Sequence, residues 1–474
     1  MKNDANFILY SDAYKHSHWR QYPKGTTHIY SYFESRGGKF DSTVFYGLQI
    51  LLKKYFEGVV IEQWMIEEAD EFCKKMFGFD YFNRKGWQRI VDVHGGRLPI
   101  RIKAVPEGTA VPLHNVLMSV ENTDPEIPFI TNFVETALVQ VWYAITVCTN
   151  SYNIKKVIGE YAKKAGEQVS PFHLNDFGFR GVSSRESAGI GGSAHLVNFM
   201  GTDTLEGIKY AMDYYGADVC GYSVMAAEHS TVTAYTKEGE LNAYTSFLEN
   251  FPDEALLSIV CDSYDTMNAV DNLFGKVLKD KILARKGKLV VRPDSGYPPQ
   301  ISVDVLRSLW NSFGGTVNDQ GYKVLDPHVG VIYGDGIDIE SIDRILFNVV
   351  DLNGFAPSNI VFGCGSALLQ QVNRDTQQFA FKCSAAQING KWVDIWKDPV
   401  TDAGKASKRG RQILLKEDAG YRTSNNPWES PQDVMQVVFE NGIIRKEYTF
   451  DEVRKNAAEC LAASVPNVAE VVDF

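Results

Sequence analysis

The sequence predicts an α/β chain: a central β/α barrel joined to a second, mainly antiparallel α+β domain built from both chain ends. Three observations predict it. Short apolar runs in the second third each stop at a cluster of Gly, Asp, Ser, Arg or His: VCGYSV before MAAEHS, ALLSIVC before DSYD, KLVV before RPDSG, HVGVIY before GDGID and NIVF before GCGS. Helical patterns usually follow, so strands apolar on both faces alternate with helices, as in a parallel sheet covered by helices. The flanking segments instead carry alternating or apolar runs broken by Pro and Gly, which read as antiparallel strands.

In chain order, HIYSYFES, LPIRIKAVP and NVLMSVENT predict strands with some helix between them. TNFVETALVQVWYAITVCTNSYNIKKVIGEYAKKA then reads as one or two helices leading into the barrel. The barrel units follow at a spacing of roughly 30–40 residues, which suits βα units with loop insertions. Their helices include YDTMNAVDNLFGKVLKDKIL and VDVLRSLWNSF. After residue 375, FAFKCSAAQ, KWVDIWKD, RQILLKED and VMQVVFENG again look antiparallel. The expected division puts residues 1–164 and 375–474 in the flanking domain and 165–374 in the barrel.

Bulk properties narrow the function. A chain of 474 residues is long enough for two domains. Its net charge of −11 argues against a generic nucleic-acid or anionic-membrane binder, because those partners are polyanions. An anionic substrate would therefore need local cations, and Arg292, Arg374, Lys382, Lys405, Lys408, Arg409 and Arg411 are the candidates. The seven cysteines are odd in number and scattered, with no C-x-x-C pair. That pattern fits a reducing compartment and lacks zinc-ligand spacing. With no leader-like start and no long apolar run, a cytoplasmic protein is expected.

The polar clusters that end the strands would share the C-terminal rim of a β/α barrel, where active sites collect. In FGCGS, glycines allow close backbone approach, and Gly365 and Ser366 open a helix whose free N–H groups suit a phosphate. Gly334 and Asp335 form a turn in which Asp335 could hold a ribose diol or a metal. Arg292 and Asp294 place a cation and a carboxylate together, either for a ligand or as a structural ion pair. His229 follows Glu228 at a strand end, with no second histidine nearby to make a metal site. Phe177 could stack on a flat ring and Arg180 could meet an anion. His16 and His18 read as structural. Rossmann, P-loop, G-x-S-x-G and H-E-x-x-H patterns are missing, which makes hydride transfer, P-loop hydrolysis, acyl hydrolysis and zinc proteolysis less attractive readings.

SDAYKHSHWRQYP, YSYFESRGG, IKAVPEGTAVP, DFGFRGVSSRESAGIGGSAHLVNFMGTDT, GYSVMAAEHST, CDSYD, VRPDSG, YGDGID and FGCGSALLQ run in the order found in nicotinamide phosphoribosyltransferases. The chain resembles that family over essentially its whole length. The resemblance implies a type II phosphoribosyltransferase barrel in a homodimer with shared active sites. It implies that nicotinamide and phosphoribosyl pyrophosphate are joined with Mg²⁺, and that ATP phosphorylates His229, with Asp265 orienting the imidazole. Phe177 and the second subunit's Tyr14 would sandwich the pyridine ring, and Asp203 would accept from the carboxamide. Arg292 would border that pocket and Arg180 would help bind the phosphorylated ligand. Asp294, Gly334 and Asp335 would meet the ribose hydroxyls. Gly365 and Ser366, completed by Arg374 and Lys382 across the dimer, would cradle the 5′-phosphate. Asn175, Ser366 and Ala380 depart from the pattern of animal members. The alternative substrate is nicotinate, which Asp203 would repel.

Overall fold

A computed structural model describes residues 5–401, 406–418 and 420–464, so Lys405 lies outside the described residues. The chain forms two compact units. The first comprises Met1–Thr149, Asp213–Ala217 and Asn373–Ala457, and the second Asn150–Met212, Asp218–Val372 and Ala458–Phe474. The expected boundary after residue 164 therefore moves. The helix Val141–Lys164 is divided by this boundary, with Val141–Thr149 in the first unit and the rest in the second. Asp213–Ala217 joins the first unit because the Tyr215 hydroxyl donates to Glu107 (2.5 Å) and its ring stacks on Tyr46 at 5.2 Å.

The first unit is built on strands β1 (Thr26–Ser35), β2 (Ile100–Ala104) and β3 (Val116–Asn122). The barrel follows with β4 (Leu174–Asp176), β5 (Gly201–Thr202), β6 (Met225–Ala226), β7 (Leu257–Val260), β8 (Leu289–Arg292), β9 (Val329–Tyr333) and β10 (Ile360–Cys364). The chain then returns to the first unit as β11 (Phe379–Ile388), β12 (Lys391–Asp394), β13 (Gln436–Glu440) and β14 (Ile443–Ile444).

The first sheet has the order β12-β11-β1-β3-β2-β13-β14 and its pairs are antiparallel, as the alternating flanking runs predict. Its apolar face is filled by large residues such as Phe33, Phe45, Phe56, Trp87 and Phe439. RQILLKED is antiparallel as expected, but its strand Ile413–Glu417 pairs with Gly420–Ser424 in a separate two-stranded sheet.

The second sheet has the order β5-β4-β10-β9-β8-β7-β6, and its pairs are parallel. Its edges meet. Gly201 of β5 bridges Tyr222 in parallel, with Thr202 N–H on the Tyr222 carbonyl (2.9 Å) and Tyr222 N–H on Met200 (2.8 Å). The sheet thus closes into a β/α barrel with sequential strands as neighbours. β7–β10 are apolar and almost wholly buried, which is why their runs were legible. The VCGYSV run contributes only the Tyr222 bridge. The strand lies after it at Met225–Ala226, where both residues are exposed and backbone pairing with β7 alone fixes them. Among the described residues no helix is long and apolar enough to cross a membrane.

Candidate active site at the barrel rim

Parallel register puts the carboxyl end of every barrel strand on one rim. Cys364 pairs with Asp176, Asp176 with Thr202, Val260 with Arg292, and Tyr333 with Phe362. Each strand therefore delivers a polar or aromatic group just past its end: Phe177 after β4, Asp203 after β5, His229 after β6, Asp262 after β7, Asp294 after β8, Asp335 after β9 and Ser366 after β10.

Phe177 is half-buried and its place is made by missing side chains. A Cβ on Gly363 would lie 2.0 Å from the ring, and one on Gly334 would lie 3.4 Å from it. Phe177 N–H donates to the Cys364 carbonyl (2.9 Å), fastening the β4 turn to β10. The same turn runs along the Gly365–Gln370 segment. Ser183 N–H donates to Gln370 (3.2 Å), and a Cβ on Gly181 would strike the Ser366 hydroxyl at 2.3 Å. Arg180, in the short 3₁₀ turn Phe179–Gly181, is exposed beside this segment. The helix that Gly365 and Ser366 open is a single turn, Ser366–Leu369. Asn175 is occupied by the barrel wall, its Nδ2 donating to Phe172 (3.1 Å) and Phe362 (3.2 Å) carbonyls.

Asp203 is exposed, and the Ser223 hydroxyl donates to its Oδ1. Its backbone N–H is bound to the Asp176 carbonyl at 2.9 Å, which places this carboxylate on the strand beside the one carrying Phe177. Ser223 carried no motif of its own, and only the contact reveals it.

The histidine's partner is a correction. His229 Nε2 meets Asp262 Oδ1 at 2.9 Å, whereas Asp265 caps the turn Thr266–Asn268 by accepting Asn268 N–H at 2.9 Å. A residue just past a buried strand points into the rim, while one three places later begins the next helix. The position of Asp262 directly after Cys261 is the sequence signal that identifies it.

Arg292 Nε lies 3.2 Å from Asp294 Oδ2, yet that buried N–H has no aligned hydrogen-bond acceptor among the described residues. The structural ion pair is thus incomplete, and the guanidinium keeps a donor available. Burial pushes the Asp294 carboxyl up from its ordinary range. Arg292 opposes the shift, Asp262 adds to it, His229 opposes it and Asp335 adds to it. These groups therefore share one electrostatic neighbourhood. Among the described residues no three His, Cys, Asp or Glu side chains gather as a metal cage. Mg²⁺ does not require one, since it usually takes one or two carboxylates plus phosphate oxygens and water.

Tyr14, Arg374 and Lys382 belong to the first unit. Tyr14 is 58% exposed on the 3₁₀ segment Ala13–Arg20, with His18 edge-on at 4.9 Å. Burial raises its hydroxyl pKa, and Glu135 and Asp12 add to this. Lys382, on β11, is half-buried. Desolvation lowers its pKa, Glu135 opposes this, and Arg36, Arg374 and Lys397 deepen it. Glu135 also forms an ion pair with the buried Lys15. Tyr14, Lys15 and Lys382 thus all feel one carboxylate that sequence reasoning missed, because nothing in its local pattern sets it apart. His16 is structural in kind: it is buried against Phe133 at 5.2 Å, and desolvation holds its pKa down at about 4.

Comparison with known proteins identifies the family and the fold. Residues 172–443 match the nicotinate phosphoribosyltransferase (NAPRTase) family, and residues 6–102 match the nicotinamide phosphoribosyltransferase N-terminal domain. The chain is 45% identical to a nicotinamide phosphoribosyltransferase of Xanthomonas campestris pv. campestris, over 95% of this chain and 98% of that one. It is 34% identical to the Acinetobacter baylyi protein of the same name, over 95% and 96% of the two chains. Two crystal structures share the fold. Nicotinate-nucleotide pyrophosphorylase from Pyrococcus furiosus has a TM-score of 0.62 at 18% identity, covering 99% of each chain. Human nicotinic acid phosphoribosyltransferase has a TM-score of 0.57 at 15% identity, covering 97% of this chain and 94% of that one.

Proposed function

This chain belongs to the nicotinate phosphoribosyltransferase family, and from that premise we propose that it joins nicotinamide to phosphoribosyl pyrophosphate, releasing nicotinamide mononucleotide and pyrophosphate. The observation that carries the amide over the acid is Asp203, an exposed carboxylate on the strand beside Phe177. It can accept from a carboxamide N–H, while nicotinate would bring a like charge against it.

The pyridine nitrogen is already a nucleophile, so the reaction needs no strong base. Its lone pair forms the bond to the ribose anomeric carbon as the bond to the pyrophosphate oxygen breaks. Positive charge at that carbon passes to the pyridinium product. The protein's task is positioning and electrostatic stabilisation. In this reading Phe177 stacks on the ring, with Tyr14 of a second copy on its other face. Arg292 borders the ring with its free donor, and Arg180 meets the phosphorylated substrate. Asp294, Gly334 and Asp335 hold the ribose hydroxyls. Backbone N–H groups at Gly365 and Ser366 receive the 5′-phosphate, with Arg374 and Lys382 of the second copy completing the cradle. Asp294 and Asp335 are the carboxylates that would hold Mg²⁺, which would supply charge neutralisation of the leaving group.

His229 is proposed to take the γ-phosphoryl group of ATP, with ADP leaving. Asp262 on Nε2 leaves Nδ1 as the nitrogen to be phosphorylated. The added charge beside the pyrophosphate site would alter substrate affinity. The protein is read as a cytoplasmic homodimer.

The test is mononucleotide formation from phosphoribosyl pyrophosphate and Mg²⁺ with nicotinamide or nicotinate, each with and without ATP. Nicotinamide product boosted by ATP is expected. A preference for nicotinate would overturn the role of Asp203, and indifference to ATP would overturn that of His229.

A further inference from the structure

Behind the ring pocket lies a carboxyl group that the proposed reaction does not use. Asp176, the last residue of β4, is 0% exposed. Its Oδ1 accepts Gly178 N–H at 2.7 Å and so shapes the turn that carries Phe177. Its backbone carbonyl accepts Asp203 N–H at 2.9 Å and so fixes the start of the segment carrying the amide acceptor. One residue thus ties together the two elements assigned to nicotinamide, through its side chain on one side and its backbone on the other. Among the described residues its buried Oδ2 meets no well-aligned donor; the buried Thr204 hydroxyl, itself without an aligned partner, is the group that acts on the carboxylate.

A buried carboxylate oxygen with no well-aligned donor is costly, and a protein that needed only a turn-shaping acceptor could use an asparagine. The titratable groups that face Asp176 are Asp203 after β5 and the Cys364 thiol at the end of β10. The first is a like charge and the second is a thiol that burial keeps protonated, so among the described residues no cation neutralises Asp176, and its charge adds to that of Asp203.

We propose that Asp176 is a positioning and specificity residue of the ring pocket: its buried charge reinforces Asp203 in excluding a carboxylate-bearing ring, and its protonation relaxes that exclusion. This rests on the reading of the site as a nicotinamide pocket and adds a second determinant to it. Burial, opposed by Gly178 N–H and Thr204 and supported by Asp203, raises the carboxyl pKa to about 6. The charge is therefore present above that value and lost as pH falls through it, within a range where nicotinate itself stays ionised.

The measurement is the ratio of kcat/KM for nicotinate to that for nicotinamide, in the full-length enzyme, from about pH 5 to 8. If nicotinate turns over too slowly, its Ki as a competitor of nicotinamide replaces it. Effects of His229, Arg292 and Asp294 on the common chemistry cancel in this ratio. In the wild type the ratio should shift toward nicotinate by about threefold to tenfold as pH falls through 6, the size expected of one partly screened charge. Asp176→Asn should show the low-pH ratio at every pH, with a flattened profile. A purely structural role would instead lower the melting temperature and both kcat/KM values together, leaving the ratio unchanged. A wild-type ratio that does not vary with pH overturns the proposal without any variant, even if Asp176→Asn fails to fold. Inactivity toward both rings would overturn the reaction assignment, and the inference with it.

Discussion

Gly363→Ala tests the geometry of the ring pocket at one methyl group. The added Cβ would sit 2.0 Å from Phe177 Cε2, 2.3 Å from Cδ2 and 2.9 Å from Cζ. Carbon atoms in contact prefer about 3.5–4.0 Å, so the ring must retreat by roughly 1.5 Å. Gly363 lies within a regular strand, so alanine strains no backbone angle and the whole effect falls on the aromatic ring. Because Phe177 is only half-buried, it can swing away, and global overpacking should stay at the low end of about 1–3 kcal/mol. Loss of a well-placed stacking partner costs about 0.5–1.5 kcal/mol. A displacement above 1 Å can cost a further factor of up to about 10² through misorientation of the reacting nitrogen. The expected result is a 10- to 100-fold fall in kcat/KM for nicotinamide, roughly, with a small fall in melting temperature and an unchanged KM for phosphoribosyl pyrophosphate. Steady-state kinetics with each substrate varied in turn, alongside thermal denaturation, reads all three. Gly330→Ala on β9 is the control, since its methyl makes ordinary contacts, with the flexible Lys288 side chain at 3.4 Å and the Asn359 carbonyl at 3.7 Å. Wild-type kinetics in Gly363→Ala would refute the placement of the ring.

A shared site can be tested by mixing. Tyr14→Ala and Phe177→Ala, each nearly inactive alone, should regain about a quarter of wild-type activity after subunit exchange, because half the dimers are mixed and each holds one intact site. Recovery of nothing would argue that Tyr14 serves its own barrel or none. Asp262→Asn should abolish stimulation by ATP while leaving ATP-independent turnover measurable. Asp265→Ala should keep the stimulation and lose about 0.5–2 kcal/mol of stability as a helix cap; the reverse pattern would restore Asp265 as the histidine's partner. In the first unit, burial would raise the Asp124 carboxyl pKa, but Arg89 and His94, each at 2.7 Å, and Glu126 N–H at 2.9 Å outweigh it and hold it at about 2. Such a depressed group stabilises the fold above its unfolded pKa of about 3.9 and loses that contribution as pH falls toward 2. Asp124→Asn should therefore destabilise the unit by about 2 kcal/mol at neutral pH and flatten the acid limb of its melting curve below pH 4. An unchanged limb would show that the network contributes nothing.

The barrel was legible wherever burial wrote a continuous apolar run. β7 to β10 fall where ALLSIVC, KLVV, HVGVIY and NIVF place them. β6 was misplaced because backbone pairing to Leu257 and Ser258 defines it, and its exposed side chains record nothing of that pairing. RQILLKED reads as a strand and is one, but which strand it pairs with is decided by its partner hairpin arm and not by its own pattern. In the site, CDSYD offers two aspartates after one strand. Only the helix start at Thr266 shows that the second is spent as a cap. Glu135 was illegible for another reason. It matters through Tyr14, Lys15 and Lys382, whose proximity is a property of the folded sheet. Gly363 was visible in FGCGS as a site of close approach, but the ring that approaches it comes from the opposite end of the barrel sequence.

The pairing of β1 with β11 has a consequence for how the molecule is made. Thr27 and Gln387, 360 positions apart, lie in hydrogen-bonding contact. At a ribosomal rate of about 5–20 residues per second, β1 emerges roughly 20–70 s before its neighbour exists. Throughout that interval one long edge of β1, with Tyr30, Tyr32 and Phe33 in it, has no strand beside it. The barrel strands emerge meanwhile and pair with sequence neighbours, so the barrel can close before the flanking sheet does. Vectorial synthesis thus lets the barrel strands pair with one another while β1 still waits for β11. An unpaired edge of that length is an aggregation hazard on the nascent chain, and slowing translation between codons 40 and 375 should lower the soluble yield more than slowing it after the β11 codons.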